Sequence, residues 1–99
     1  MALALILFAT GQGLGSDGAK TPEAKAAQNV YSVAMAARAA GYTGKWETAA
    51  DLVRDMEKGV VLDYGGTPVH FKVVPMSEAE RAYALKHIAI ETHGPVLKP

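Results

Sequence analysis

The residues best suited to chemistry lie between Gly11 and Thr21. Gly13-Leu14-Gly15-Ser16-Asp17-Gly18 satisfies G-x-G-x-x-G, the spacing with which dinucleotide-binding loops bring backbone against a pyrophosphate. Gly13 to Thr21 also falls one residue away from the phosphate loop G-x-x-x-x-G-K-[ST], because Ala19 intervenes before Lys20-Thr21. His70, His87 and His93 could in principle gather as metal ligands, but they lack local ligand spacing and no acid is clearly matched to them. Ser77 opens Ser-Glu-Ala-Glu, where its hydroxyl is accounted for as a helix cap rather than a nucleophile. Glu78 and Glu80 are helix-start acids, and their adjacency does not make a general acid/base pair.

Each of these chemistries needs elements to position it. The chain has 99 residues, enough for one domain, and 49% of them are hydrophobic, as in a folded protein. Ten basic and ten acidic residues cancel and are interspersed, so nothing marks a nucleic-acid partner. There is no cysteine, hence neither a disulfide framework nor a thiolate metal site.

Ala2 to Ala9 is uninterrupted apolar sequence. As a helix it would rise about 12–15 Å, roughly half a bilayer core, so it cannot span a membrane alone. No basic residue precedes it, so it does not read as an ordinary secretory signal. Left in water, each large side chain would forfeit about 1.5–3 kcal/mol of burial. Leu3, Leu5, Ile6, Leu7 and Phe8 therefore form an expected assembly interface, helical and covered by the same segment of neighbouring copies. Residues 1–10 read as an apolar assembly segment, 11–21 as a glycine-rich linker, and 22–99 as an α+β head.

The head begins clearly. Thr21-Pro22-Glu23 supplies a capping hydroxyl, proline at the first helical position and an acid near the positive end of the dipole. The helix runs through "EAKAAQNVYSVAMAARAA" and stops at Gly41. Ala27, Val30, Tyr31, Ala34 and Ala37 form its inner stripe, with Lys25, Gln28, Ser32 and Arg38 mostly opposite. A second helix is expected over "WETAADLVRDMEK", burying Ala49, Leu52, Val53 and Met56 and ending at Gly59. "VVLDY", the turn "GGTP" and "VHFKVV" read as a hairpin broken by Pro75. Ser77 and Glu80 make a capping box for a short helix, and "HIAIE", "THGP" and "VLK" a second hairpin. The order helix, helix, hairpin, helix, hairpin argues α+β with a small antiparallel sheet, whose Val69, Phe71, Val73, Ile88 and Ile90 face Val30, Ala34 and Ala37.

That order argues against the nucleotide readings. A dinucleotide fold needs a second parallel strand after the first helix, ending in an acid about 20 residues beyond the glycines. Here "GYTGKWET" follows, which is turn and helix cap. A phosphate loop needs lysine directly after its last glycine and a magnesium-binding acid on another strand. No nucleotide, cofactor or metal is expected, and no catalytic residue is assigned. Trp46, Tyr31, Tyr42, Tyr64 and Tyr83 read as core and rim aromatics.

From about Glu23 to Pro99 the chain resembles the short headgroup of bacterial type IV pilin-like and pseudopilin-like proteins. "AKAAQNVYSVAMAARAAGYT" is similar to the exposed half of the long pilin helix. "GGTPVHFKVVPMSEAERAYALKHIAIETHGPVLKP" is similar to the strand, short helix and terminal hairpin that end small prepilin-like proteins. The resemblance implies a non-enzymatic subunit of an extracellular filament at the cell surface. Its partners would be identical subunits, after residence in the inner membrane. It also implies that Gly11, Gly13, Gly15 and Gly18 belong to an unwound stretch that Pro22 ends by restarting the helix. Leu5 stands where most pilins carry glutamate. The other structural reading is a small membrane- or virion-associated protein using the same segment as a partial anchor.

Overall fold

A computed structural model describes residues 21–98 in full and the backbone of residues 5–7. The element order is β1 (Leu5–Leu7), α1 (Pro22–Ala39), α2 (Ala49–Lys58), β2 (Val60–Tyr64), β3 (Thr67–Phe71), α3 (Glu78–His87), β4 (Ile88–Glu91) and β5 (Gly94–Leu97). The architecture is α+β, as the pattern of the sequence argues.

The three helices start where their caps dictate. Thr21 Oγ1 accepts from the Ala24 N–H, and Pro22 occupies the first turn of α1, where a missing N–H costs nothing. Thr48 and Asp51 form a reciprocal capping box at α2, as Ser77 and Glu80 do at α3. The second helix thus starts at Ala49, two residues beyond the Trp46-Glu47 stretch expected to open it. Its strongest N-terminal signal is Thr48, and Trp46 is drawn into the core from the loop before it.

Two hairpins build two separate sheets rather than the one expected. β2 and β3 are antiparallel, with Val60 opposite Phe71, Leu62 opposite Val69 and Tyr64 opposite Thr67. Gly65 and Gly66 alone make the turn, both at positive φ (59° and 92°), which the tight two-residue hairpin connection requires. Thr67 and Pro68, expected in the turn, are therefore strand. β1 lies parallel to β3 on the opposite side from β2, with Leu5 beside Val69 and Leu7 beside Phe71. Pairing to β1 begins just past Pro68, whose ring nitrogen has no hydrogen to donate. β4 and β5 form the second sheet, pairing Ile88 with Leu97 and Ile90 with Pro95. Ile88 and Ile90 thus belong to a different sheet from Phe71.

One apolar core joins these pieces. Ala27, Val30, Val33, Ala34 and Ala37 bury one face of α1, which packs against α2, α3, β3 and β5. Leu52, Val53 and Met56 from α2, Val69 and Phe71 from β3, and Val73, Met76, Ala84 and Ile88 complete it. Val30, Ala34, Ala37, Val69, Phe71, Val73 and Ile88 are buried as expected, Ile90 partly so, and Val33 joins them unanticipated. Small side chains on α1 and the buried Ala84 of α3 allow the two helices to lie close together.

Candidate functional site

The assembly and linker residues singled out in the sequence divide into two groups. Leu3, Phe8, Gly11, Gly13, Gly15 and Gly18 lie outside the described residues, and most of the helix expected over residues 1–8 lies there with them. Leu5, Ile6 and Leu7 are placed by their backbone as β1, a strand paired with β3 where a helix was expected, and Pro22 opens α1. A strand before the glycines and a helix after them is the local order a nucleotide site uses. The start of α1 is nevertheless poorly suited to a phosphate. The Thr21 hydroxyl is committed to the Ala24 N–H, Pro22 offers no N–H, and Glu23 adds a carboxylate to the first turn.

The three histidines do not converge. His70 is on β3, His87 ends α3 and His93 is in the β4–β5 turn. Among the described residues no group of three His, Asp or Glu side chains is arranged to hold a metal ion. His87 has a structural partner set instead: its ring stacks on Tyr83 with centroids 3.9 Å apart, and its Nδ1 lies 3.1 Å from the Lys98 carbonyl oxygen. Ser77 is occupied as a cap, its Oγ accepting from the Glu80 N–H while Glu80 accepts from the Ser77 N–H.

Two polar constellations in the head emerge only in three dimensions. The first joins the end of α1, the following loop and α2. Asp55 Oδ2 accepts from the Tyr42 hydroxyl at 2.8 Å and from the Trp46 indole N–H at 2.7 Å. The Arg38 guanidinium lies 3.8 Å from the Trp46 ring centroid and donates to the Tyr42 carbonyl at 2.8 Å. Burial, reinforced by the hydrogen bond to Asp55, pushes the Tyr42 hydroxyl above its usual pKa, so it remains a donor at neutral pH. With Trp46 only 5% exposed and Arg38, Tyr42 and Asp55 half-buried, this arrangement fastens the loop to α2. In the sequence Arg38 reads as part of the outer side of the first helix and Tyr42 as a core or rim aromatic, with nothing joining them. The aspartate that completes the set lies 13 residues beyond Tyr42, with no local signal linking them.

The second constellation lies in a shallow groove of about 460 Å³ between α2 and α3, floored by Ala50, Val53 and Leu85 and edged by Arg54, Lys58 and Arg81. Arg81 makes a two-pronged bond to Glu57, at 3.0 and 2.8 Å, and also donates to the Met76 carbonyl. Glu57 accepts in addition from the Met76 N–H. The Arg81 guanidinium holds the Glu57 carboxyl below its ordinary pKa, which suits an ion-pair partner and not a proton donor. Asp51 is likewise held low, first by Arg54 and then by the Glu47 and Thr48 N–H groups. Both carboxylates are engaged in structure.

Exposed apolar side chains are found elsewhere on the head. Val61 and Tyr64 on β2 are 54% and 53% exposed, and Val74, after β3, is 59% exposed. Among the described residues no helix is long and apolar enough to cross a membrane. Comparison with protein-family models, curated proteins and solved structures finds no match.

Proposed function

We propose that this chain is a structural subunit of an extracellular, pilin-like helical filament, assembled through its apolar N-terminal segment. The observation that carries the reading is the run from Ala2 to Ala9. Its five large apolar side chains together represent on the order of 10 kcal/mol of burial, too much to leave in water. The glycine-bearing stretch that follows gives this segment reach, because each glycine disfavours helix by about 1 kcal/mol. Beyond it, α1 enters the head as a spine with α2, α3 and strands of both sheets packed around it. In a single chain Leu5–Leu7 add to β3, and in the filament neighbouring segments enclose the run as helices.

Lateral packing of such segments without a two-fold axis is heterologous and propagates as an open helix. The partners are identical subunits, the subunit resides in the inner membrane before assembly, and the role is not catalytic. Leu5→Lys or Leu7→Asp should abolish filaments while leaving the head folded, as judged by electron microscopy and by Trp46 fluorescence. Filaments that persist in either variant would contradict the proposal. If the unsubstituted chain instead floats with lipid vesicles and forms no filament, the segment is a membrane anchor.

A further inference from the structure

We infer that the open edge of β2 is a second contact surface, which pairs with β2 of another copy of this chain across a two-fold axis. The inference stands independently of the N-terminal segment and uses only residues of the head.

Among the described residues β2 is the outer strand of its sheet, with β3 on one side only. The two-residue turn fixes which of its backbone groups are free. Tyr64 and Thr67 flank the turn as a hydrogen-bonded pair, and such pairs alternate along an antiparallel ladder. Leu62 and Val60 therefore point their N–H and C=O groups inward to β3, while those of Val61 and Asp63 point to the open edge. Among the described residues no backbone group pairs with them.

The edge is self-complementary in one register. With Leu62 opposite Leu62 of the second copy, Val61 faces Asp63 and Val60 faces Tyr64, so all five residues of the strand overlap. The two Val61–Asp63 pairs exchange the free N–H and C=O groups, giving four inter-chain hydrogen bonds. No charge then faces a like charge directly, and Val60 meets Tyr64 as a β-branched and aromatic pair. The pairing would cover two of the most exposed large apolar side chains of the head, Val61 and Tyr64.

Of the devices that keep sheet edges apart, β2 has one charge, Asp63, which faces Val61 and not a like charge in this register; three others are missing. β2 contains no lysine and no proline, and it pairs residue for residue with β3, without a bulge. Glycines bound it on both sides, Gly59 before and Gly65-Gly66 after, so no side chain at either end blocks an approaching strand. Tyr64 anchors the hairpin tip to the body through a 3.0 Å hydrogen bond from its hydroxyl to the Ala40 carbonyl, which presents the edge in a fixed orientation. A two-fold contact closes on itself and cannot extend a polar helix. It would therefore join two unassembled chains, or heads belonging to neighbouring filaments.

Single-cysteine cross-linking of the full chain tests this, since the chain has no cysteine of its own. In the predicted register the two Leu62 residues form a non-hydrogen-bonded pair with Cα atoms about 4.5 Å apart, within disulfide range. Under mild oxidation Leu62→Cys should form disulfide dimers at least about tenfold faster than Val74→Cys, although Val74 is the more exposed position. Adding Val61→Pro removes an edge N–H without touching a β2–β3 hydrogen bond, and should reduce that rate to the Val74→Cys level. A Leu62→Cys rate no greater than that of Val74→Cys overturns the inference. So does a fast rate that survives Val61→Pro, because the contact would then not be strand pairing. Sedimentation of the chain without cysteine provides a reading free of any effect of Leu62→Cys on folding. A concentration-dependent shift toward dimer mass that Val61→Pro abolishes supports the contact, and its absence at high concentration counts against it.

Discussion

Asp55 and Phe71 show what single side chains hold in this head. Among the described residues Asp55 is the only acceptor for the Trp46 indole N–H, and it also takes the Tyr42 hydroxyl. Asp55→Ala should strand a buried donor and cost about 1–3 kcal/mol, read by denaturant unfolding followed at Trp46, the one tryptophan. Phe71, 4% exposed, is buried in the core, so Phe71→Ala should cost about 3–5 kcal/mol, most of the stability of so small a domain. The two residues differ in how legible they were. Phe71 alternates with Val69 and Val73 against His70 and Lys72, a local pattern that marks the buried face directly. Asp55 lies on the flank of an amphipathic helix, where an acid is ordinarily solvated. Its partners come from a loop whose path local periodicity does not encode.

The elements were more legible at their ends than in their associations. Thr21 and Ser77 each announce a helix because capping is a contact between residues three apart, written wholly in the local sequence; Thr48 carries the same signal, although the expected helix opened earlier, at Trp46. Ser77→Ala should remove the cap of α3 and cost about 1 kcal/mol, measurable as a lower urea midpoint at unchanged slope. Which strands share a sheet is a long-range matter, and the single expected sheet became two because nothing local tells β4 and β5 from a continuation of β2 and β3. The tie between α2 and α3 was equally hidden, as Glu57 and Arg81 are 24 residues apart. That tie carries a pH signature. Because Arg81 lowers the Glu57 pKa from its ordinary 4.5, the pair contributes stability above that value and loses it as the pH falls through the lower folded-state pKa. Arg81→Gln should therefore be less stable than the unsubstituted chain at neutral pH, with the difference shrinking below about pH 4.5 in denaturation series across pH. A constant difference down to pH 2 would mean that Arg81 contributes through packing and not through charge.

At the scale of the whole molecule, the head closes on a core of its own, and the N-terminal run reaches it through Leu5–Leu7 beside β3. The core closes around α1 with residues drawn from all three helices, from β3 and β4 and from the segment after β3, and the described carboxylates in the groove and the loop are consumed by structural partners. The assembly segment was legible as a problem of burial, since apolar side chains on every side of a short stretch need an enclosure. Leu5–Leu7 pair with β3 of their own chain; under the filament proposal the enclosure comes instead from other copies, which no pattern within one sequence specifies. The most direct measurement is electron microscopy of the full chain at high concentration without detergent, beside Leu5→Lys prepared in the same way. The filament account predicts regular helical filaments from the unsubstituted chain, and none from Leu5→Lys although its Trp46 emission and unfolding midpoint show a folded head. A monodisperse, stable monomer from the unsubstituted chain, or filaments undiminished in Leu5→Lys, would contradict it.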